Sequence, residues 1–286
     1  MSGLTSSTRL KKPSGRKPAE REGSGASGAS LRPPLKWAGG KRWQVPHLKP
    51  LWDGHKGRRL VEPFCGGLAV TLGLMPQRAV LNDVNPHVIH FYQKLKHGLQ
   101  IEIPMRNSES LYYRHRTRFN ALLAKGKTGE DEAAALFYYL NRTGYNGLCR
   151  FNRKGMFNVP FGRYVKINYT RDFSPYREVF SRWDFLSEDF QRIPLPDEDF
   201  IYADPPYDVE FTDYARDGFT WKDQVRAAEW LARHKGPVVL TNQATRRIID
   251  LYETLGYELR YLKAPRMISC TGDRAPATEV MAIRNL

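Results

Sequence analysis

The run Asp204-Pro205-Pro206-Tyr207 follows Asp199-Phe200-Ile201-Tyr202-Ala203, which reads as a buried strand ending in a rigid turn. Both prolines fix φ and lack an N–H, so the backbone beyond Asp204 cannot continue a sheet and its carbonyls point outward. A carboxylate at Asp204 and the carbonyl of Pro205 can each accept one hydrogen from an exocyclic –NH2, while Tyr207 offers a flat face to an aromatic ring. An amino group on a planar base fits this turn. The same four residues also make an ordinary strand-terminating turn, since Asp-Pro commonly starts one. Their meaning depends on whether the chain also supplies a donor site and a nucleic-acid reader.

Two other strand tips bear on the donor. Arg59-Leu60-Val61-Glu62-Pro63-Phe64-Cys65-Gly66-Gly67 reads as a strand breaking into a glycine turn, with Leu68 to Leu74 as the start of a helix. Such a turn lets backbone approach a ligand at the carboxyl end of a strand, where open α/β sheets bind nucleotides. Ala79-Val80-Leu81 then ends in Asn82-Asp83, an acid where a ribose diol would lie, although Asp83 would equally serve as an Asx cap for a helix starting near Asn85-Pro86. The full GxGxxG phosphate grip is absent, which argues for an adenosine ligand without pyrophosphate, such as S-adenosylmethionine, rather than NAD. Leu35-Lys36-Trp37-Ala38-Gly39-Gly40-Lys41 is no P-loop either: Lys41 is followed by Arg42, and no glycine stands upstream at the required spacing.

With 286 residues, 41% of them hydrophobic, the chain can bury one substantial core, or one core plus an appended subdomain. No run of eighteen or more apolar residues occurs and the basic N-terminus lacks an apolar h-region, so neither a membrane span nor a secretory signal is expected, and the cytoplasm is the expected location. Cys65, Cys149 and Cys270 lie far apart, with no CxxC and no clustered histidines, and suggest neither a disulfide framework nor a metal site. The formal charge of +15 calls for a polyanionic partner, nucleic acid first. Residues 1–30 hold six Lys/Arg against two Glu, +4 of the total, so +11 stays with the rest.

Residues 1–30 are rich in Ser, Gly, Lys and Arg, have almost nothing to bury, and read as a disordered tail. Residues 105–140 show apolar residues at helical spacing. From 141 to 171 the chain carries Arg142, Arg150, Arg153, Lys154, Arg163, Lys166 and Arg171 with no acid, interleaved with aromatics around an Arg153-Lys154-Gly155 turn that suggests a hairpin. A surface that holds phosphates and stacks or wedges bases needs that mixture. Past the Asp-Pro-Pro-Tyr turn come a polar loop (208–218) that could close over substrate, a helix from Trp221 to Lys235 with a Thr220/Asp223 capping box, a strand at Val238 to Asn242, and a helix from Thr245 to Leu255. Two closing strands follow, Tyr257 to Lys263 and Glu279 to Arg284. The alternation is that of a parallel sheet with a terminal antiparallel pair.

Taken together and in this order, LKWAGGK (35–41), VEPFCG (61–66), Asn82-Asp83, YLNRTGYNGLCR (139–150), FNVPFG (157–162), DPPY (204–207) and Ile268-Ser269 resemble the Dam family of DNA adenine-N6 methyltransferases. The resemblance, to the D12 class and its group alpha, runs from about residue 33 to the C-terminus. It implies an α/β fold: a Rossmann-like S-adenosylmethionine-dependent methyltransferase sheet with an antiparallel last strand, plus a helical and β-hairpin target-recognition insert. The expected division is a catalytic domain of residues 31–104 and 175–286 and a recognition domain of 105–174.

The resemblance further implies that Trp37, Lys41 and Asp83 contact S-adenosylmethionine, with the turn of Glu62, Phe64 and Gly66 beside it, and that Asp204 serves both cofactor pocket and catalysis. Arg150 falls where the family reads guanine, Tyr145 and Leu148 at intercalating and base-contact positions, and Asn146, Asn152, Pro160 and Arg163 among the DNA contacts. An arginine there suits the bidentate O6/N7 pair of guanine, and GATC in double-stranded DNA is the site implied. Leu68 departs from the family, which often has its second glycine there, and so do the side chains of the hairpin turn. The expected chemistry is direct transfer to the N6 of a flipped adenine held by Asp204, Pro205, Pro206 and Tyr207, without covalent intermediate or metal. Alternatives are a cytosine N4 or RNA-base acceptor, since the turn recognises an amino group rather than adenine itself, and a noncatalytic DNA-binding relative. A cognate restriction enzyme is a further possible partner.

Overall fold

The computed structural model of the chain describes residues 31–208, 218–265 and 277–286. The N-terminal tail, most of the loop expected over 208–218, Cys270 and Ile268-Ser269 lie outside the described residues. Helix α1 (Val45–Asp53) precedes strand β1 (Leu60–Glu62), followed by the short α2 (Thr71–Leu74), β2 (Ala79–Asn82) and α3 (Pro86–Lys96). Helices α4 (Glu109–Ala124) and α5 (Asp131–Thr143) come next, then α6 (Ser174–Phe180) and β3 (Trp183–Leu186). The chain closes with β4 (Phe200–Ala203), α7 (Trp221–Ala232), β5 (Val238–Gln243), α8 (Arg246–Thr254), β6 (Glu258–Ala264) and β7 (Ala277–Arg284).

The seven strands form one sheet in the order β3-β2-β1-β4-β5-β7-β6. The first five are parallel, and β7 runs antiparallel between β5 and β6. Strand order reverses between β1 and β4, a topological switch point whose carboxyl-end crevice is where open α/β sheets hold ligands. Both faces of the sheet are covered, so its central strands are buried along their length rather than alternating, with polar residues only toward their carboxyl ends. Leu60 joins one apolar cluster with α1, α3, α4, α5 and α6, whereas its neighbour Val61 joins the other with α7 and α8. The first cluster runs without a break from the sheet into the region of α4 and α5: Phe91 of α3 stacks on Tyr138 of α5 with planes 4° apart.

Several local expectations hold. Thr220 and Asp223 form a reciprocal capping box, Thr245 caps α8, and Gly256 ends the turn after it. Others shift. The helix expected from Leu68 begins only at Thr71, because Leu68 itself takes φ +61° and is buried, holding a left-handed conformation that glycine adopts without strain. The 153–155 turn closes a minimal hairpin with one bridge, Phe151 to Phe157, fixed at its tip by the Asn152 side chain, which accepts from the amides of Lys154 and Met156, each at 3.0 Å. Strand β3 has no counterpart among the elements expected from the sequence; it is four residues of a sheet edge whose Asp184 is exposed.

One buried amide ties α5 to the segment that precedes α1. The Asn141 carboxamide accepts from the Lys36 amide at 2.7 Å and donates to the Lys36 carbonyl at 2.8 Å, replacing both water partners of that residue. Asn141 is 1% exposed. In Asn141→Ala both backbone groups lose their partner, each at a cost of about 1–3 kcal/mol. A clearly lowered urea midpoint is the expected outcome, and an unchanged midpoint would show that the clamp is replaceable.

Candidate active site

Asp204 sits just beyond β4, at the switch point, and the glycine turn after β1 faces it. They share a cavity of about 770 Å³ lined by Trp37, Lys41, Glu62, Phe64, Gly66, Asp83, Asp204, Pro205, Pro206 and Tyr207. All the residues expected to hold cofactor or to catalyse are therefore brought to one crevice. None of the seven expected DNA contacts lines it.

The glycine turn is shaped by an aromatic. A Cβ on Gly66, which takes φ +44°, would stand 2.5 Å from the Trp37 indole nitrogen, and one on Gly67 would stand 2.7 Å from Trp37 Cβ. Only glycine lets the LKWAGG segment close over the turn. Asp83 Oδ2 accepts from the Gly66 amide at 3.1 Å while its Oδ1 accepts from the Asn85 amide at 2.9 Å. The helix cap proper is Asn85, whose side chain accepts from His87. Burial raises the Asp83 carboxyl above its ordinary range, against these two hydrogen bonds.

Glu62 is buried beneath the turn and accepts from the Thr71 hydroxyl. Burial pushes it up to about 8, with smaller upward contributions from Asp204 and Asp83. Opposite, Phe64, Phe190 and Phe219 form an aromatic wall with centroids 5.4 to 6.1 Å apart, and Arg226 lies over the Phe190 ring at 4.7 Å. Phe190 and Phe219 are not among the residues expected from the sequence, since nothing local sets them apart from core phenylalanines.

Asp204 Oδ1 accepts from the Thr241 hydroxyl at 2.8 Å and lies 3.8 Å from the Lys41 ammonium. Burial raises the carboxyl to about 6, although Lys41 and Thr241 pull it down. Lys41 stands closer to a second carboxylate, Glu279 Oε1, at 3.2 Å. Glu279 Oε2 accepts from the Tyr207 hydroxyl and from Gln44 Nε2, both at 2.7 Å. The Tyr207 ring thus lies with one face against the Lys41 ammonium, 4.1 Å from its centroid, so a base can stack only on the other face. The Pro206 carbonyl accepts from Gln224 at 2.7 Å, which steadies the turn.

The expected DNA contacts cluster on one surface. Tyr145, Arg150, Asn152, Pro160 and Arg163 are exposed, and Asn146 and Leu148 are half-buried. The Tyr145 amide donates to the Pro160 carbonyl at 2.9 Å, joining the two runs. Arg150 is held by Asn158 Oδ1 at 2.9 Å, whereas Arg163 pairs with Glu109 of α4 at 3.0 Å. Arg142 is not a surface cation: it donates to the carbonyls of Asn168 and Pro34. His87 stacks on Phe151 at 4.6 Å, its imidazole pushed down to about 4 by burial and, less, by His90, so it supports the hairpin as a neutral ring.

A doubly wound sheet closed by an antiparallel pair, with a crevice at its switch point and the Asp-Pro-Pro-Tyr turn beside it, is the architecture of the Rossmann-like methyltransferases. Comparison with known proteins narrows this. The family model for D12 class N6 adenine-specific DNA methyltransferase matches residues 37–268. The retron Ec67 DNA adenine methylase of Escherichia coli is 34% identical, over 87% of this chain and 90% of its own. A Vibrio cholerae DNA adenine methylase is 36% identical over 87% of this chain and 94% of its own, and a type II methyltransferase of Lactococcus lactis 33% identical over 88% and 95%. The chain belongs to the D12 class of N6 adenine-specific DNA methyltransferases, and the family implies a methyl donor of the S-adenosylmethionine type. Among the described residues no group of three or more His, Cys, Asp and Glu could hold a metal, and no helix is long and apolar enough to cross a membrane.

Raised carboxyl values make a prediction about stability. Glu62 folds preferentially as the neutral acid, so its contribution is complete below its ordinary value of 4.5 and is lost as pH rises toward about 8. Glu62→Gln keeps an acceptor for Thr71 and removes the titration. Urea unfolding from pH 4.5 to pH 8 should show a flatter decline in the variant than in the parent; parallel curves would place the Glu62 shift elsewhere.

Proposed function

We propose that the enzyme transfers the methyl group of S-adenosylmethionine to the N6 of adenine in GATC sites of double-stranded DNA, after extruding the base from the duplex. The observation that carries the donor is the charge of the crevice. In a chain of net charge +15, the cavity is lined by Asp83, Glu188, Asp189, Asp204 and Asp223, besides the neutral Glu62, against only Lys41 and Arg226. Such a lining suits a ligand with a cationic sulfonium and ammonium and disfavours a polyphosphate. Asp83 retains lone pairs for a ribose diol, and the Phe64 wall suits an adenine ring.

When bound, the donor supplies an electrophilic methyl group. The protein's own task is to present the acceptor. Extrusion is needed because N6 inside the stack is out of reach. Asp204 and the Pro205 carbonyl hydrogen-bond the two N6 hydrogens, leaving the nitrogen lone pair to form the N–CH3 bond as the S–CH3 bond of the donor breaks, the surplus N6 proton then passing to Asp204, while the open face of Tyr207 stacks the ring. Orientation and electrostatics supply the rate enhancement. Residues 31–104 and 175–286 make up the catalytic part in this reading, and 105–174 reads the site, with Arg150 on a guanine and Tyr145 wedged into the duplex. The work is placed in the cytoplasm of a bacterial or phage-infected cell, where a cognate restriction enzyme would be the natural counterpart.

The decisive assay is transfer of labelled methyl to a GATC duplex and to one with those four bases permuted, followed by nucleoside mass spectrometry. N6-methyladenine confined to the GATC duplex is expected; equal labelling would remove the site assignment, and methylcytosine or label only on RNA would replace the acceptor. Asp204→Ala should abolish transfer and weaken donor binding while DNA binding persists, and turnover in that variant would reject the catalytic role.

Arg150→Ala should cost about 1–3 kcal/mol at one base pair and relax specificity there. Binding measured on single-base-substituted duplexes checks this. A uniform loss on every duplex would make Arg150 a phosphate contact instead.

A further inference from the structure

We infer that Glu279, on the antiparallel strand β7, is a positioning residue for methyl transfer, holding the Tyr207 hydroxyl and the Lys41 ammonium and thereby the stacking face of Tyr207 and the charge beside Asp204. The inference rests on the reading of Asp204 and Tyr207 given above. Glu279 is 7% exposed, and its carboxylate accepts from Lys41, Gln44 and Tyr207. Lys41 and the Gln44 amide nitrogen can only donate, and the Tyr207 hydroxyl is kept protonated by burial and by the charges of Asp204 and Glu279. Three donors converging on one carboxyl fit its ionised form.

Gln44 ties the carboxylate to the central sheet. Its Oε1 accepts from the hydroxyl of Tyr202 on β4 at 3.0 Å while its Nε2 donates to Glu279 at 2.7 Å. The bonds therefore close a ring: Tyr202, Gln44, Glu279, Tyr207 and back through the turn to β4. Strand β7 supplies the one member that approaches from across β5, with Glu279 opposite Gln243 in the ladder. Because β7 runs antiparallel, its early residues meet the carboxyl ends of the parallel strands, where the turn lies.

Removing the carboxylate has two consequences. The Tyr207 hydroxyl loses its acceptor, so the ring is no longer held at the angle that exposes its free face. Lys41 loses its nearer partner and is left with Asp204, 3.8 Å away, so it settles on the carboxylate that must accept the amino hydrogens. The charged or titratable groups acting on Asp204 come from every side: Lys41 before α1, Glu62 on β1, Tyr202 on β4, Tyr207 on its own turn, Tyr252 on α8 and Glu279 on β7. Glu279 is the one whose deletion both removes a repelling charge and frees a cation.

Methyl transfer to a GATC duplex by E279Q, E279A, Y207F, the E279A/Y207F double variant and D204A tests this. E279A should lower kcat about ten- to a hundredfold, with a smaller change in KM for DNA, since misplacement rather than lost binding is at work. In the Y207F background the further loss from E279A should be much smaller than in the parent, because the shared hydroxyl is already gone. The acid limb of kcat/KM should move to lower pH in E279Q, a shift that a purely structural residue would not cause. A kcat for E279A within about twofold of the parent, with D204A inactive, overturns the inference and leaves the site reading standing. Losses that multiply, with an unmoved acid limb, overturn it too. Should E279A fail to fold, Y207F carries the test, and full activity there overturns the inference. Turnover in D204A removes the site reading itself and the inference with it.

Discussion

Two carboxylates share one ammonium at the heart of this protein. For the role proposed for it, Asp204 needs a cation near it to stay ionised where burial raises it to about 6, yet a cation bound tightly to it would occupy the lone pairs offered to an amino group. Lys41 meets both needs by pairing at 3.2 Å with Glu279 and standing 3.8 Å from Asp204. The arrangement demands parts from across the fold. Lys41 comes from the segment that covers the glycine turn, Asp204 from the central parallel strand, and Glu279 from a strand that must run antiparallel to reach the same end of the sheet.

The charge pattern of the chain follows from the same division of labour. A body of net positive charge attracts a polyanion over its surface, while the ionisable residues lining the crevice at the switch point are mostly acids. If the crevice were as basic as the surface, phosphate would compete for it. Two of the crevice acids are also structural: Asp83 satisfies the amides of Gly66 and Asn85, and Asp223 caps α7. The lining is therefore built by the folding of the turns around it.

Glycine, proline and aspartate act locally at strand tips, which is why the turns at Glu62 to Gly67, Asn82-Asp83 and Asp204 to Tyr207 are legible in the sequence alone. The capping box at Thr220 and the strands β5, β6 and β7 are legible for the same local reason. Glu279 is not. Its partner Lys41 lies 238 positions away, and on its own it is one acid at the start of a strand. Asn141 reads as an ordinary polar residue near a helix end until folding sets Lys36 against it. The acid-free run from 141 to 171 suggests an uninterrupted basic face, but α4 supplies Glu109 to Arg163 from outside the run, and Arg142 turns inward to backbone carbonyls. Sequence windows count the charges they contain and miss those that folding brings to them.

The surface proposed to read DNA and the crevice are separate in their linings and joined in their supports. Asn141 grips Lys36, the residue before Trp37, through both backbone groups. Gly147, beside Leu148, packs so closely on Lys36 that a Cβ there would stand 2.7 Å from the lysine Cβ. On the other wall, Asn85, whose amide is held by Asp83, donates to Cys149 beside Arg150 at 3.2 Å. Residues adjoining the tip that carries Tyr145 and Arg150 are thus bonded to residues adjoining both walls of the crevice. A packed, hydrogen-bonded junction of this kind transmits displacement instead of absorbing it. In the proposed reading, the position of a duplex on the tip is consequently referred to the position of Asp204 through few and short contacts, which suits a reaction governed by orientation.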